Sequence, residues 1–441
     1  MDDFVKVAAD GWNFERGGKP FHCTGVNYFP SDVGWAPQLW RQFDAEKTRR
    51  HFALMEETGI RVARVFLTWA SFLPERAKGL NPQAMERLRQ TLRIAEEFGV
   101  LLHPTGPDHW EGGSDWMPST AERDHFAHPE VLETLAEFWA MLAGELKDCP
   151  NVFAWDLLNE PHMNENTAEQ AGLWADWRKM QPETARLPET YPVTLPENPD
   201  IREAYLRFRG QIARNWVKIQ TDAIRAADPN HMVTVGLLWF TGTAYGPGYA
   251  FDPAFIDDLT DFTCLHYYPP AECGADPARY EQALDELELF IRSYYTGKPV
   301  VLQEFGWYGT NEAFAGWGQE GFESQGESVQ ADFMARLLRR TRGICSGWLP
   351  WGLLDVPQAK DLSKYSGLFT SEGLPKEYKK VYEGFCSDVA ARGLIRQAAP
   401  VRAVDLDYVM RNGSRGLWDG WLGEQRLHGP SDFSYSGGGV K

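Results

Sequence analysis

The sequence predicts an α/β chain closed into a (β/α)8 barrel with long loops at its C-terminal face, and three observations carry that prediction. Short β-rich runs alternate eight times with stretches of helical spacing. No linker-like composition divides the series. A length of 441 residues suits one barrel with insertions. With 43% apolar, 13% aromatic and 24% charged residues the chain can bury a large core, which excludes general disorder.

The first strand is read at 23–29, CTGVNYF. A helix over 44–58 follows, opened by Asp44, closed before Gly59, and carrying Phe52, Leu54 and Met55 as apolar positions. Strand two is 60–66, and the helix 82–98 has Pro82 in its first turn and Gly99 just past its end. Strand three, 100–104, precedes a helix over 129–147, and strand four is 152–158. A helix near 201–227 stops at Asp228-Pro229-Asn230 and leads into strand five, 232–237. Strand six at 262–268, a helix at 277–295, strand seven at 299–305, a helix at 326–342, strand eight at 344–351 and a last helix at 375–392 complete the series. Right-handed crossovers place every strand's carboxyl end on one side of such a TIM barrel. Residues 1–395 are read as the barrel, and 396–441 as a C-terminal extension packed on it with a flexible end at SGGGVK.

Three connections exceed ordinary loop length: 105–128, 159–200 and 306–325. They follow strands three, four and seven, at the face where sites on this architecture are built. The first carries Trp110 and Trp116, the third Trp307 and Trp317, and aromatic rings of this kind either stack on sugar faces or anchor the loop. The second, with Trp174, Trp177 and a Pro-rich stretch, reads as a structured excursion rather than a second domain.

Acidic residues outnumber basic ones 62 to 44, a formal charge of -18, so a polyanion such as nucleic acid is not an expected partner. The six cysteines lie far apart with no CxxC pair, and no metal, cofactor or disulfide motif is seen. The opening MDDFVKVAADGW has neither the charged nor the apolar region of a secretory signal, and no apolar run has membrane-spanning length. The chain as given is expected to be soluble and cytoplasmic, or secreted if a signal has been removed.

Two carboxylates carry the chemistry. Glu160 closes the apolar run FAWDLLNEP on strand four, and Glu304 closes PVVLQEFGW on strand seven. Placed at two carboxyl ends of a barrel they can face one another across its mouth. Glycosidic cleavage asks for such a pair: one acid for the leaving oxygen and one carboxylate that attacks carbon or activates water.

With Asn159-Glu160-Pro161 ending strand four and Glu304 ending strand seven, the chain resembles clan A of the glycoside hydrolases and, more narrowly, family 5, which contains cellulases and β-mannanases. The resemblance covers most of residues 20–390. It implies a retaining β-glycoside hydrolase with Glu160 as acid/base and Glu304 as nucleophile, a carbohydrate partner and no cofactor or metal. It also implies Arg64 beside the nucleophile, in preference to Arg61; His266 and Tyr268 of LHYYP at the first subsite and the nucleophile; and Trp351 as the floor of subsite -1, with Trp348 the packed one. Asn159 is expected to meet the sugar 2-hydroxyl, and His103 is preferred over His109 as the strand-three histidine. The expected substrates are β-mannosides or manno-oligosaccharides. The alternatives are endo-acting β-1,4-mannanase or β-1,4-glucanase action and other clan A activities such as β-glucosidase or β-galactosidase.

Overall fold

Parallel strands that bury both faces need a helix on one side and a packed interior on the other, and eight of them here close on themselves. The computed structural model describes residues 3–33, 36–108, 124–163, 167–238, 250–269, 277–307, 326–359, 362–397 and 406–412. The barrel strands are β1 (Cys23–Asn27), β2 (Val62–Thr68), β3 (Leu101–Asp108), β4 (Ala154–Asn159), β5 (Met232–Leu238), β6 (Thr263–Tyr267), β7 (Val300–Phe305) and β8 (Gly347–Trp348). They pair in sequence order, all parallel, and β8 closes onto β1. This is the expected TIM barrel.

Helix α1 (Ala45–Thr58) follows β1, α2 (Pro82–Glu97) follows β2, α3 (Pro129–Leu146) follows β3 and α4 (Pro199–Ala227) follows β4. After β6, β7 and β8 come α5 (Pro277–Tyr294), α6 (Glu327–Thr341) and α7 (Glu377–Arg392). The ends lie where local chemistry puts them. Asp44 accepts from the Lys47 amide at the start of α1, and Gly59 takes the left-handed conformation, φ 80°, at its end. Asn81 caps α2 with Pro82 at its first position.

Strand β8 is shorter than the run 344–351 suggests, because Pro350 has no N–H to offer a ladder. Side chains complete the seam. Asn27 Nδ2 donates to the carbonyls of Gln303, Leu349 and Pro350. Tyr382 Oη, from α7, accepts from the Gly25 amide and bonds the carbonyls of Gly25 and Trp348.

The first residues form something the strand-helix rhythm does not announce: a three-stranded antiparallel sheet of Val5–Val7, Phe14–Arg16 and Lys19–Phe21. Its second turn uses Gly17 and Gly18, both at positive φ. Phe14 and Val5 cluster with Cys23, Val62, Leu101, Phe153, Phe262 and Val301, residues at the strand starts, so the small sheet stoppers the barrel's amino-terminal end.

The 159–200 connection is indeed structured. Its helix Ala168–Lys179 buries Trp174 and Trp177 against Phe208 of α4. Beyond α7, a short helix Leu406–Asn412 lies along α4, where Arg207 pairs with Asp407 and Arg411 with Asp200 and Glu203. The SGGGVK end lies outside the described residues. No helix among the described residues is long and apolar enough to cross a membrane.

Candidate active site

Inward-facing polar residues at the carboxyl ends of the strands build one connected cluster. Arg64 stands at its centre, fully buried, in register with Asn27 of β1 and His103 of β3. Its Nε donates to Thr105 Oγ1 at 2.8 Å and Asp156 Oδ2 at 3.1 Å. Nη1 donates to Asn27 Oδ1 at 3.0 Å and Glu304 Oε1 at 2.5 Å, and Nη2 to Asp156 Oδ2 at 2.9 Å and Asn159 Oδ1 at 2.8 Å. The fork of the guanidinium is thereby saturated, and two buried carboxylates share its charge. Arg61 is exposed and reaches only the Gly99 carbonyl, so Arg64 is the strand-two arginine of the site.

Glu304 accepts twice, from Arg64 and, through Oε2, from Tyr268 Oη at 2.7 Å. Burial raises its carboxyl above the usual range; His266, Arg64 and Tyr268 oppose that lift, and neighbouring Glu160 adds to it. Glu160 differs. Its backbone takes φ 50°, unusual for a residue with a side chain, and its amide donates to the Gly236 carbonyl. Its side chain keeps 27% exposure against 4% for Glu304. Burial pushes its carboxyl up to about 7, Arg64 opposing and Asp108 adding to the lift. Two donors on one carboxylate and none of that strength on the other divide the pair: the shared proton belongs on Glu160.

His266 sits between them. Its Nδ1 is 2.9 Å from Glu160 Oε1 and 3.5 Å from Glu304 Oε1, and Nε2 is 2.8 Å from Gln303 Oε1. Facing atoms of Glu160, His266 and Glu304 all lie within 4.8 Å of one another. That is the short carboxylate spacing of covalent, retaining chemistry, about 5 Å, rather than the wider gap that admits a water. The positive charge this trio requires comes from Arg64.

Irregular strands make this crowding possible. A register shift between Leu302 and Glu304 lets consecutive residues, Gln303 and Glu304, both face inward. A second shift between Asp156 and Asn159 brings Asn159 and Glu160 to the mouth above Asp156. Gly236 opposes them on β5; a Cβ there would stand 2.7 Å from Gln303 Oε1 and 3.0 Å from Arg64 Nη2, so only glycine fits.

Asn159 spends its oxygen on Arg64, which leaves its amide NH2 for the cavity. Trp351 packs edge-on to Phe66 and tilted on Phe29, its indole N–H on Ser363 Oγ, and 5% of it is exposed. Trp348 is fully buried against Phe385, as expected of the packed one. A cavity of about 260 Å3 opens beside Glu160, lined by Trp69, Asp108, Asn159, Glu160, His162 and Trp216 among others.

Two of the candidate residues stand apart from the cavity. His103 does not reach the cavity: it is 1% exposed, its Nδ1 on the Ala154 carbonyl and its ring against Phe153, a layer below the site. Trp307 presents no face to a sugar; it is 1% exposed and stacked on Phe333 of α6, its carbonyl held by Gln330. Trp110 lies outside the described residues, as do His109, Trp116 and Trp317. The sequence reading passed over Asn27, Thr105, Asp156 and Gln303. Three of them carry a visible signal: Asn27, Asp156 and Gln303 are buried polar residues on largely apolar strands.

Comparison with known proteins agrees with this geometry. The model of the cellulase family, glycosyl hydrolase family 5, matches residues 14–348. A mannan endo-1,4-β-mannosidase of Solanum lycopersicum is 23% identical over 340 residues, 68% of this chain and 72% of that protein. Among solved structures, an exo-β-1,4-mannosidase from Opitutaceae bacterium strain TAV5 superposes with a TM-score of 0.65 at 19% identity, over 88% of this chain and 63% of the other, so this chain spans less than two thirds of that protein. A GH5_18 variant from Streptomyces cattleya in complex with Manβ1-4GlcNAc gives 0.61 at 20% identity, over 86% and 83%.

Proposed function

The chain belongs to glycosyl hydrolase family 5, and from that membership we propose a retaining hydrolase of β-mannosides and manno-oligosaccharides, with Glu304 as nucleophile and Glu160 as acid/base. That it is a glycoside hydrolase with a carbohydrate substrate follows from the family. The roles rest on one observation above the others: of two carboxylates within 4.8 Å, one receives Arg64 and Tyr268 while the other faces an imidazole and the open cavity.

In this reading Glu304 attacks the anomeric carbon as Glu160 passes its proton to the leaving oxygen. Glu160 then takes a proton from water, which releases the sugar from Glu304. The free NH2 of Asn159 meets the 2-hydroxyl, a bond that strengthens as oxocarbenium charge develops. Trp351 forms the floor beneath the ring.

Mannose is supported by the activities named for the relatives, both the tomato endo-mannosidase and the Opitutaceae exo-mannosidase. The tomato protein favours a second reading, endo action on β-1,4-mannan. Labelled mannans, glucans and their oligosaccharides separate these: single mannose units released from one end support exo action, and a ladder of lengths supports endo action. For the roles, Glu304→Gly is expected to abolish turnover, and azide to restore part of it with inversion at the anomeric carbon. Full activity in that variant would overturn the assignment.

A further inference from the structure

Beneath the two carboxylates, three side chains, His266, Gln303 and His103, form a continuous line across the barrel to a main-chain carbonyl, and each link has one possible polarity. The Ala154 carbonyl can only accept, so His103 Nδ1, 2.8 Å away, carries a hydrogen. Burial holds His103 neutral, its pKa depressed to about 4, so its Nε2 is bare. The Gln303 atom 2.8 Å from that nitrogen must therefore donate. Asp156 Oδ2 fixes the same end independently: it already accepts from Arg64 and Thr105, and the same Gln303 nitrogen reaches it at 3.1 Å. Gln303 Oε1 is thus turned to His266, and Nε2 of His266 carries the hydrogen between them at 2.8 Å. A neutral His266 then shows a lone pair at Nδ1. The atom facing it is Glu160 Oε1, at 2.9 Å.

We propose that Gln303 is a positioning residue for catalysis: anchored through His103 to the Ala154 carbonyl, it locks His266 as the Nε2–H tautomer, whose bare Nδ1 keeps the proton on Glu160. The inference rests on the reading of Glu160 as acid/base. A lone pair facing Glu160 is satisfied by its O–H and repelled by its carboxylate. The acid is therefore protonated before each attack. Once Glu160 has given its proton to the leaving oxygen, the same lone pair makes its carboxylate a stronger base toward water, and the water's proton restores the starting state. No group other than Glu160 gains or loses a proton over the cycle.

The surroundings agree. Glu160 is faced by His266 from β6, Glu304 from β7, Asp108 from β3 and Arg64 from β2. His266 is faced by Glu160, Glu304, Gln303, Arg64 and Asp156, and burial lowers its affinity for a second proton. Gly236 leaves open the space where Gln303, Arg64 and His266 meet.

Replacing Gln303 by leucine removes the acceptor at His266 Nε2 and frees the ring to place its hydrogen on Nδ1. A charge-assisted bond to the Glu160 carboxylate then forms, and the basic limb of kcat/KM is expected to fall by about 1 to 2 pH units. With a poor leaving group near neutral pH, kcat/KM should drop about tenfold or more, whereas a dinitrophenyl glycoside, which needs no acid, should change by no more than about threefold. A purely structural defect would slow both substrates alike and leave the limb in place; either result overturns the proposal. If Q303L does not fold, 15N spectra of the wild-type protein decide, with His266 assigned by comparison with H266N. A bare Nδ1 and protonated Nε2 are expected, and an Nδ1-protonated or doubly protonated ring overturns the proposal. Glu160→Ala separates the two levels. If E160A keeps full activity with the poor leaving group, the acid/base reading itself fails; if E160A is dead and the Q303L limb does not move, only the relay fails.

Discussion

At the scale of single residues, the cluster is organised by one cation shared between two carboxylates, and its chemistry follows from what that cation leaves uncovered. Arg64 covers Asp156 and Glu304 and does not bond Glu160. In its proposed role as acid Glu160 must be protonated, and burial pushes its carboxyl up to about 7. Activity carried by the protonated form is full below that value and lost above it. A pH profile of kcat/KM should therefore fall as pH rises through about 7, with an acid limb set by ionisation of Glu304; a profile flat to pH 9 would remove Glu160 from the acid role. Asn159, Glu160, His266, Tyr268, Glu304 and Trp351, which the structure gathers at one end of the barrel, could be singled out because each ends or nearly ends an apolar run, whereas Arg64, inside β2, was marked by the family resemblance. His103 supports the site from below rather than lining it: it is level with Arg64 on β2 and its ring reaches Gln303. His103 is the third residue of β3, and five more follow, the last of them Asp108 at the mouth.

At the scale of elements, caps and turn residues made the helices readable, and irregularity hid the rest. Asp44, Gly59, Asn81 and Pro82 state their helix ends in local chemistry alone. The register shifts in β4 and β7 carry no such mark, because a bulge records how one strand fits its neighbour. The amino-terminal sheet did leave a sign in Gly17-Gly18 between Phe14 and Phe21, but strands of three residues are too short for periodicity to show. Its work is packing, at the far end of the barrel from the glutamates. Phe14→Ala should accordingly cost about 3–5 kcal/mol in urea unfolding while kcat stays unchanged. A fall in kcat at full stability would contradict the division between stopper and site.

At the scale of the whole molecule, the barrel is a ring whose last join is short in main-chain pairing: Gly347 and Trp348 pair with β1, and Trp351 bridges Asn27. Tyr382 and Asn27 make up the deficit with side-chain bonds to five carbonyls and one amide. Tyr382→Phe leaves buried main-chain groups short of a partner, and a loss of about 1–3 kcal/mol is expected in denaturant titration; no loss would mean that the seam holds without it. The closing tyrosine also sets a schedule. Ribosomes deliver Arg64 early and Glu304 much later, but the hydroxyl that ties the ring belongs to residue 382, after every strand has been made. A nascent chain that has just gained its second glutamate still lacks β8, so its sheet cannot yet close onto β1. The cavity can therefore form only after β8 has been made, and until then the first-strand edge, Cys23–Asn27, has no β8 to pair with.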